Sequence, residues 1–140
     1  MKKLIFVDTS ALIALGNKKD SFHQQALEIH QYLNSSSVKF VTTSGVLLEF
    51  GNAFSRLSLK PVAITLIKAI KTSEKWQYIA IDEEIFNQAF NLYEKRLDKE
   101  WGMVDCTSIV IAQKMGIVEV FTTDHHFKQA GFTILLTKDF

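Results

Sequence analysis

Apolar residues along this chain follow two rhythms. Short unbroken runs alternate with longer stretches in which apolar positions recur every three or four residues. Leu4 to Val7 is an unbroken run, as expected of a strand buried on both faces of a parallel sheet. Val38–Thr43, Tyr78–Ile81, Val118–Thr122 and Phe132–Leu136 read as four further strands. Between them, Ala11–Leu15 is helix-compatible, and Ser21–Leu33 carries Phe22, Ala26, Ile29 and Leu33 at helical spacing. Ser44–Leu57 predicts a helix with Val46, Leu47, Phe50, Ala53, Phe54 and Leu57 on its apolar side. Pro61, the sole proline, fits the first turn of a helix running to about Glu74, where its missing N–H is not needed. Asp82 can cap a helix in which Ile85, Phe86, Ala89, Phe90, Leu92 and Tyr93 repeat. Asp105–Met115 reads as a helix stopped by Gly116, and Thr123–Ala130 as a loop with a helical turn.

Strands alternating with helices predict one α/β domain over residues 1–140. The expected architecture is a three-layer α/β/α sandwich around a central, mostly parallel five-stranded sheet with right-handed crossovers. No repeat, low-complexity tract or linker interrupts it.

Composition agrees with a filled interior: 47% of residues are apolar, and eleven are phenylalanine. A net charge of +1, from 16 basic and 15 acidic residues, neither demands nor excludes nucleic acid. A chain relying on counterion release alone would be more basic, so an RNA substrate would require metal ions to supply local positive charge. The single cysteine, Cys106, cannot form an internal disulfide and reads as a small buried side chain early in a helix. The apolar run after Lys2 and Lys3 ends at Asp8, too soon for a signal peptide. No segment approaches the ~18 apolar residues of a membrane span, and the expected compartment is the cytoplasm.

In an open parallel sheet, ligands bind beyond the carboxyl ends of the strands, where strand order reverses. Asp8 and Asp124 directly follow strands, and Asp105 opens the helix leading into the fourth strand. Each could equally be a helix N-cap. Glu49 lies among Val46, Leu47, Leu48, Phe50 and Ala53. Buried there, it would need a partner or a metal, but it also suits a solvent-facing side of the helix. Four such acids can hold one or two hard cations such as Mg²⁺ or Mn²⁺. His23, His30, His125 and His126 lack zinc-site spacing and read as surface or capping residues. Lys18, Lys19, Arg56, Lys60, Lys68, Lys71, Lys95, Arg96 and Lys114 could meet phosphates only if they converge. Trp76 and Trp101 read as packing residues.

Four blocks in order carry a family resemblance: Phe6-Val7-Asp8-Thr9-Ser10-Ala11-Leu12, Val46-Leu47-Leu48-Glu49, Val104-Asp105-Cys106-Thr107-Ser108, and Phe121-Thr122-Thr123-Asp124-His125-His126-Phe127 followed by Gly131-Phe132. The chain resembles the PIN-domain family and, within it, the VapC-type toxins of toxin–antitoxin pairs. That resemblance implies a metal-dependent endoribonuclease acting on RNA with one or two Mg²⁺ or Mn²⁺ ions, a cognate antitoxin, and a homodimer. It places the acidic, metal-binding centre on Asp8, Glu49, Asp105 and Asp124. It places a supporting hydroxyl beside the first Asp on Ser10 or Thr9, and Thr107 is a further candidate for the same role. The sequence departs from the family pattern where His125 and His126 stand beside Asp124, in positions that often carry a further acid or Asn. Asp124 is therefore expected to complete the site directly, or to hold a water or a second ion. The alternatives are a non-catalytic PIN-like module that binds RNA or protein, and a flavodoxin-like or receiver-like domain, for which the pattern around Asp82 is absent.

Overall fold

The computed structural model describes residues 2–137; Met1 and Asp139, the latter an acid without a constellation in the sequence, lie outside them. Five strands form the sheet: β1 (Lys3–Val7), β2 (Val38–Thr43), β3 (Trp76–Ile79), β4 (Glu119–Phe121) and β5 (Thr133–Ile134). Seven helices connect them: α1 (Thr9–Gly16), α2 (His23–Asn34), α3 (Ser44–Ala53), α4 (Lys60–Thr72), α5 (Glu83–Lys95), α6 (Met103–Lys114) and α7 (His125–Gln129).

The strand order is β3-β2-β1-β4-β5, and every pairing is parallel, so the expected "mostly parallel" sheet is wholly so. The chain starts at the sheet's centre, builds β2 and β3 to one side, then crosses back to lay β4 and β5 on the other. The order therefore reverses between β1 and β4. α1 packs against α2, α3 and α4, and α6 packs against α5 and α7, with α3 and α6 also in contact. This is the three-layer α/β/α arrangement.

Parallel strands covered on both faces need apolar residues at consecutive positions. Ile5, Phe6 and Val7 of β1 have no exposed surface, and neither do Phe40 and Val41 of β2 or Val120 and Phe121 of β4. Phe6, Phe127 and Phe132 form a chain of ring contacts beneath β1 and β4, and Phe40 packs on Trp76. Trp101 is buried, with its ring N–H donated to Gln129 Oε1 at 3.1 Å. Cys106 is buried in α6, where burial pushes its thiol up to about 11, which leaves it protonated and unreactive at neutral pH.

Several boundaries differ from expectation: the fifth strand, expected over Phe132–Leu136, is Thr133–Ile134, and α6 starts at Met103 rather than Asp105. The helix expected to reach Leu57 ends at Ala53, where Phe54 turns inward to fill the core. A Cβ on Gly16 would lie 2.7 Å from the Phe54 ring, so the end of α1 and the end of α3 meet face to face. Leu57 is left 85% exposed. The third strand starts at Trp76 rather than Tyr78 and stops before Ile81, whose N–H is taken by Ser44 Oγ. Gly116, at φ +68°, stops α6 in the left-handed region as its position predicts. No described helix is long and apolar enough to cross a membrane.

Candidate active site

The strand order places the ends of β1 and β4 side by side, and Asp8 and Asp124 follow those ends. Asp8 occupies the N-cap position of α1 but its side chain makes no cap bond. It is 4% exposed, and its Oδ2 accepts the Thr122 hydroxyl at 2.8 Å. The Ser10 hydroxyl lies 3.4 Å from the same oxygen and 2.9 Å from Thr122 Oγ1. Thr123 N–H donates to Ser10 Oγ, and Asp124 N–H donates to Thr122 Oγ1. Ser10 and Thr122 thus tie the turn after β4 to the carboxylate after β1.

Burial pushes Asp8 up to about 6; the Thr122 hydrogen bond works against this, and the charges of Asp105 and Asp124 add to it. The Thr122 hydroxyl links Asp8 to the turn that carries Asp124, so the three carboxylates lie at one end of the sheet. Asp105 is also raised, first by burial and then by Asp124, against the pull of Gly102 N–H and His126. Gly102 N–H donates to Asp105 Oδ2 at 3.1 Å, and His126 N–H donates to Asp124 Oδ1 at 2.9 Å. Asp105 and Asp124 therefore do serve helix starts, yet they also face a common point. His126 Nδ1 lies 3.2 Å from Asp105 Oδ2 and 3.3 Å from Asp124 Oδ1. One ligand atom from each of Asp105, Asp124 and His126 lies within 4.8 Å of the other two.

Glu49 is exposed, which corrects the alternative of a buried carboxylate in an apolar helix. Its Oε1 accepts the hydroxyl of Thr9, the residue after Asp8, at 2.7 Å, and Glu49 is not among the ligand atoms gathered at Asp105, Asp124 and His126. Thr107 supports no carboxylate: its hydroxyl donates to the Val104 carbonyl one turn back in α6, at 2.6 Å. Two contributors went unassigned in the sequence, His126 and Thr122. The only signal for Thr122 was its position, directly after an apolar run and two residues before an acid.

These three carboxylates, two of them with raised pKa, have no lysine or arginine paired to them among the described residues; His126 is their one basic contact. Such a set of hard oxygen donors fits a divalent cation.

The PIN domain description matches residues 5–133. The chain belongs to the PIN-domain family. The PIN chain is 30% identical over 129 residues to the 23S rRNA-specific endonuclease VapC20 of Mycobacterium tuberculosis, covering 92% of this chain and 95% of that one. The crystal structure of that protein, described as a sarcin-ricin loop cleaving toxin, superposes with a TM-score of 0.82 over 92% of this chain and 96% of that chain. VapBC2 of Rickettsia felis, bound to promoter DNA, superposes at 0.64 with 14% identity, covering 94% of this chain and 96% of that one. FitAcB of Neisseria gonorrhoeae superposes at 0.62 with 17% identity and the same two coverages. The last two show a shared fold.

Away from the acids, Lys18, Lys19 and Arg56 converge on one cleft of about 350 Å³ at the far ends of α1 and α3, with Leu59 and Val62 on its wall.

Proposed function

We propose that this PIN protein is a metal-dependent endoribonuclease, the toxin of a toxin–antitoxin pair, with 23S rRNA as the first substrate to test. The observation that carries this reading is the gathering of Asp105, Asp124 and His126 ligand atoms within 4.8 Å of one another at the switch point of the sheet, with buried Asp8 joined to them through Thr122 and, among the described residues, no lysine or arginine to balance the acids. The likeness to VapC20 along nearly the whole of both chains supports the substrate class.

Asp8 and Asp105 are the main candidate ligands of an Mg²⁺ or Mn²⁺ ion, and Asp124 completes the set or assists a second ion. When bound, such an ion lowers the pKa of water and absorbs charge on a phosphate. The residues do the rest. Ser10 and Thr122 hold Asp8 in one orientation, as supporting hydrogen bonds do for ligand carboxylates. Glu49, steadied by Thr9 and open to solvent, can accept a proton from the attacking water. The cleft of Lys18, Lys19 and Arg56 can take backbone phosphates of the same RNA.

The expected partners are a cognate antitoxin and a second copy of the chain. Exposed Leu48, Leu57 and Ile64, on and between α3 and α4, support a covered surface there. Size-exclusion chromatography, with and without the product of the neighbouring gene, tests both. For the activity, purified protein with Mn²⁺ should cut RNA, and Asp8→Asn or Asp105→Asn should abolish cutting. Equal cleavage by the wild type and both variants contradicts the assignment.

A further inference from the structure

His125 and His126 begin the same short helix and differ in what they face. The His125 ring is exposed and lies beside that of His126, with centroids 5.1 Å apart. Among the described residues it makes no ion-pair contact. The His126 ring is only 23% exposed, and its Nδ1 is aimed between two carboxylates, 3.2 Å from Asp105 Oδ2 and 3.3 Å from Asp124 Oδ1. Its backbone N–H fixes Asp124 Oδ1 separately. The ring is thus not needed to hold that carboxylate in place.

Carboxylate oxygens accept, so Nδ1 carries a proton when it faces them without an ion. A neutral imidazole can instead turn the same nitrogen's lone pair to a cation, with its proton on Nε2. Three donor atoms within 4.8 Å of one another leave a common point about a metal–ligand bond length, ~2.0–2.3 Å, from each after small side-chain adjustment. With a neutral imidazole, Asp105 and Asp124 supply two negative charges and ionised Asp8 a third, an acidic set suited to a divalent ion.

We propose that His126 is a nitrogen ligand of the ion held by Asp105 and Asp124, and that it biases the centre toward Mn²⁺ and later transition ions over Mg²⁺. This rests on the reading of the acidic group as a divalent-ion centre, and adds to it a residue outside the four acids. Mg²⁺ takes oxygen ligands in near-ideal octahedra and retains its waters, whereas imidazole binds transition ions more readily. An all-oxygen centre would lack that bias.

Pulsed electron paramagnetic resonance on the Mn²⁺-loaded protein reads nitrogen coupling directly, and calorimetry gives the Mn²⁺ and Mg²⁺ affinities. Wild type, His126→Ala, His126→Gln and His125→Ala are compared, with circular dichroism to show folding. The expected result is one ¹⁴N coupling in the wild type and in His125→Ala, lost in both His126 variants. The Mn²⁺ to Mg²⁺ affinity ratio should fall by roughly ten-fold or more in those variants, the size of effect seen when support for a metal centre is lost. His126→Gln keeps bulk and polarity, so the outcome does not depend on the alanine variant folding. Bound Mn²⁺ without nitrogen coupling, or with coupling that survives His126→Gln, overturns the role of His126 while leaving the centre standing. Failure of the wild type to bind either ion overturns both.

Discussion

The Thr122 hydroxyl donates to Asp8 Oδ2 at 2.8 Å, and its oxygen accepts Asp124 N–H at 3.0 Å. One side chain at the end of β4 therefore orients the carboxylate at the end of β1 and the turn that carries a second carboxylate. Thr122→Val keeps the shape and removes both interactions. It should lower stability at neutral pH by ~1–3 kcal/mol, the cost of leaving a buried acceptor unsatisfied. It should also weaken Mn²⁺ binding. Thr122→Ser should restore both, as read by chemical denaturation and calorimetry.

Asp8 makes stability and ion binding oppose each other. Its pKa is raised from an ordinary 3.8 to about 6, so the fold favours its neutral form. The stabilising contribution of that form is complete below about pH 4 and is lost as pH rises through about 6. Above that window, in EDTA, the buried charge is a liability of up to ~3 kcal/mol, at 1.36 kcal/mol per pKa unit. Asp8→Asn should therefore raise the melting temperature at pH 7 in EDTA, with the gain shrinking as pH falls from about 6 to about 4. Added Mn²⁺ should stabilise the wild type and not the variant.

Much of the fold was legible because buried parallel strands are written as unbroken apolar runs. β1 and β2 lie where Leu4–Val7 and Val38–Thr43 place them, give or take a residue. The overlong α3 has a physical reason. Leu57 continues the apolar period, but Phe54 leaves the helix to fill the space against Gly16, a tertiary choice that periodicity does not encode. The acids stood out in the sequence by their places after strands. What decides their surroundings did not: Thr122 meets Asp8 across 114 positions, and His126 meets Asp105 across 21. Glu49 was ambiguous because exposed Leu48 and Glu49 directly precede buried Phe50 within one turn of the helix, at the edge of its apolar face.

The Thr9–Glu49 bond predicts separable kinetics. Glu49→Gln should reduce kcat by on the order of 10²–10⁴, the usual contribution of a general base. KM should change little and the melting temperature should hold, because Glu49 is exposed. Thr9→Val should give a smaller loss in kcat of the same kind. A pure KM effect in single-turnover assays contradicts the role given to Glu49.

The cleft of Lys18, Lys19 and Arg56 predicts a salt-dependent contact with RNA. Replacing all three with alanine should raise KM and leave kcat near its original value. The slope of log binding constant against log salt should fall by roughly one per cation that meets a phosphate. Fluorescence anisotropy on RNA in EDTA reads this without cleavage.

The Gly16–Phe54 contact predicts the cost of a single methyl group. Gly16→Ala places a Cβ 2.7 Å from the Phe54 ring. Overpacking of this kind should destabilise by about 1–3 kcal/mol in urea titrations, and Phe54→Leu should relieve part of it.

The most direct test is cleavage of 23S rRNA by EDTA-stripped protein before and after Mn²⁺ or Mg²⁺ is added back, with the new ends mapped by primer extension. The account predicts no cutting in EDTA, discrete cuts once the ion is restored, and none with Asp8→Asn or Asp105→Asn. Cutting that persists undiminished in EDTA, or that survives both substitutions, contradicts it.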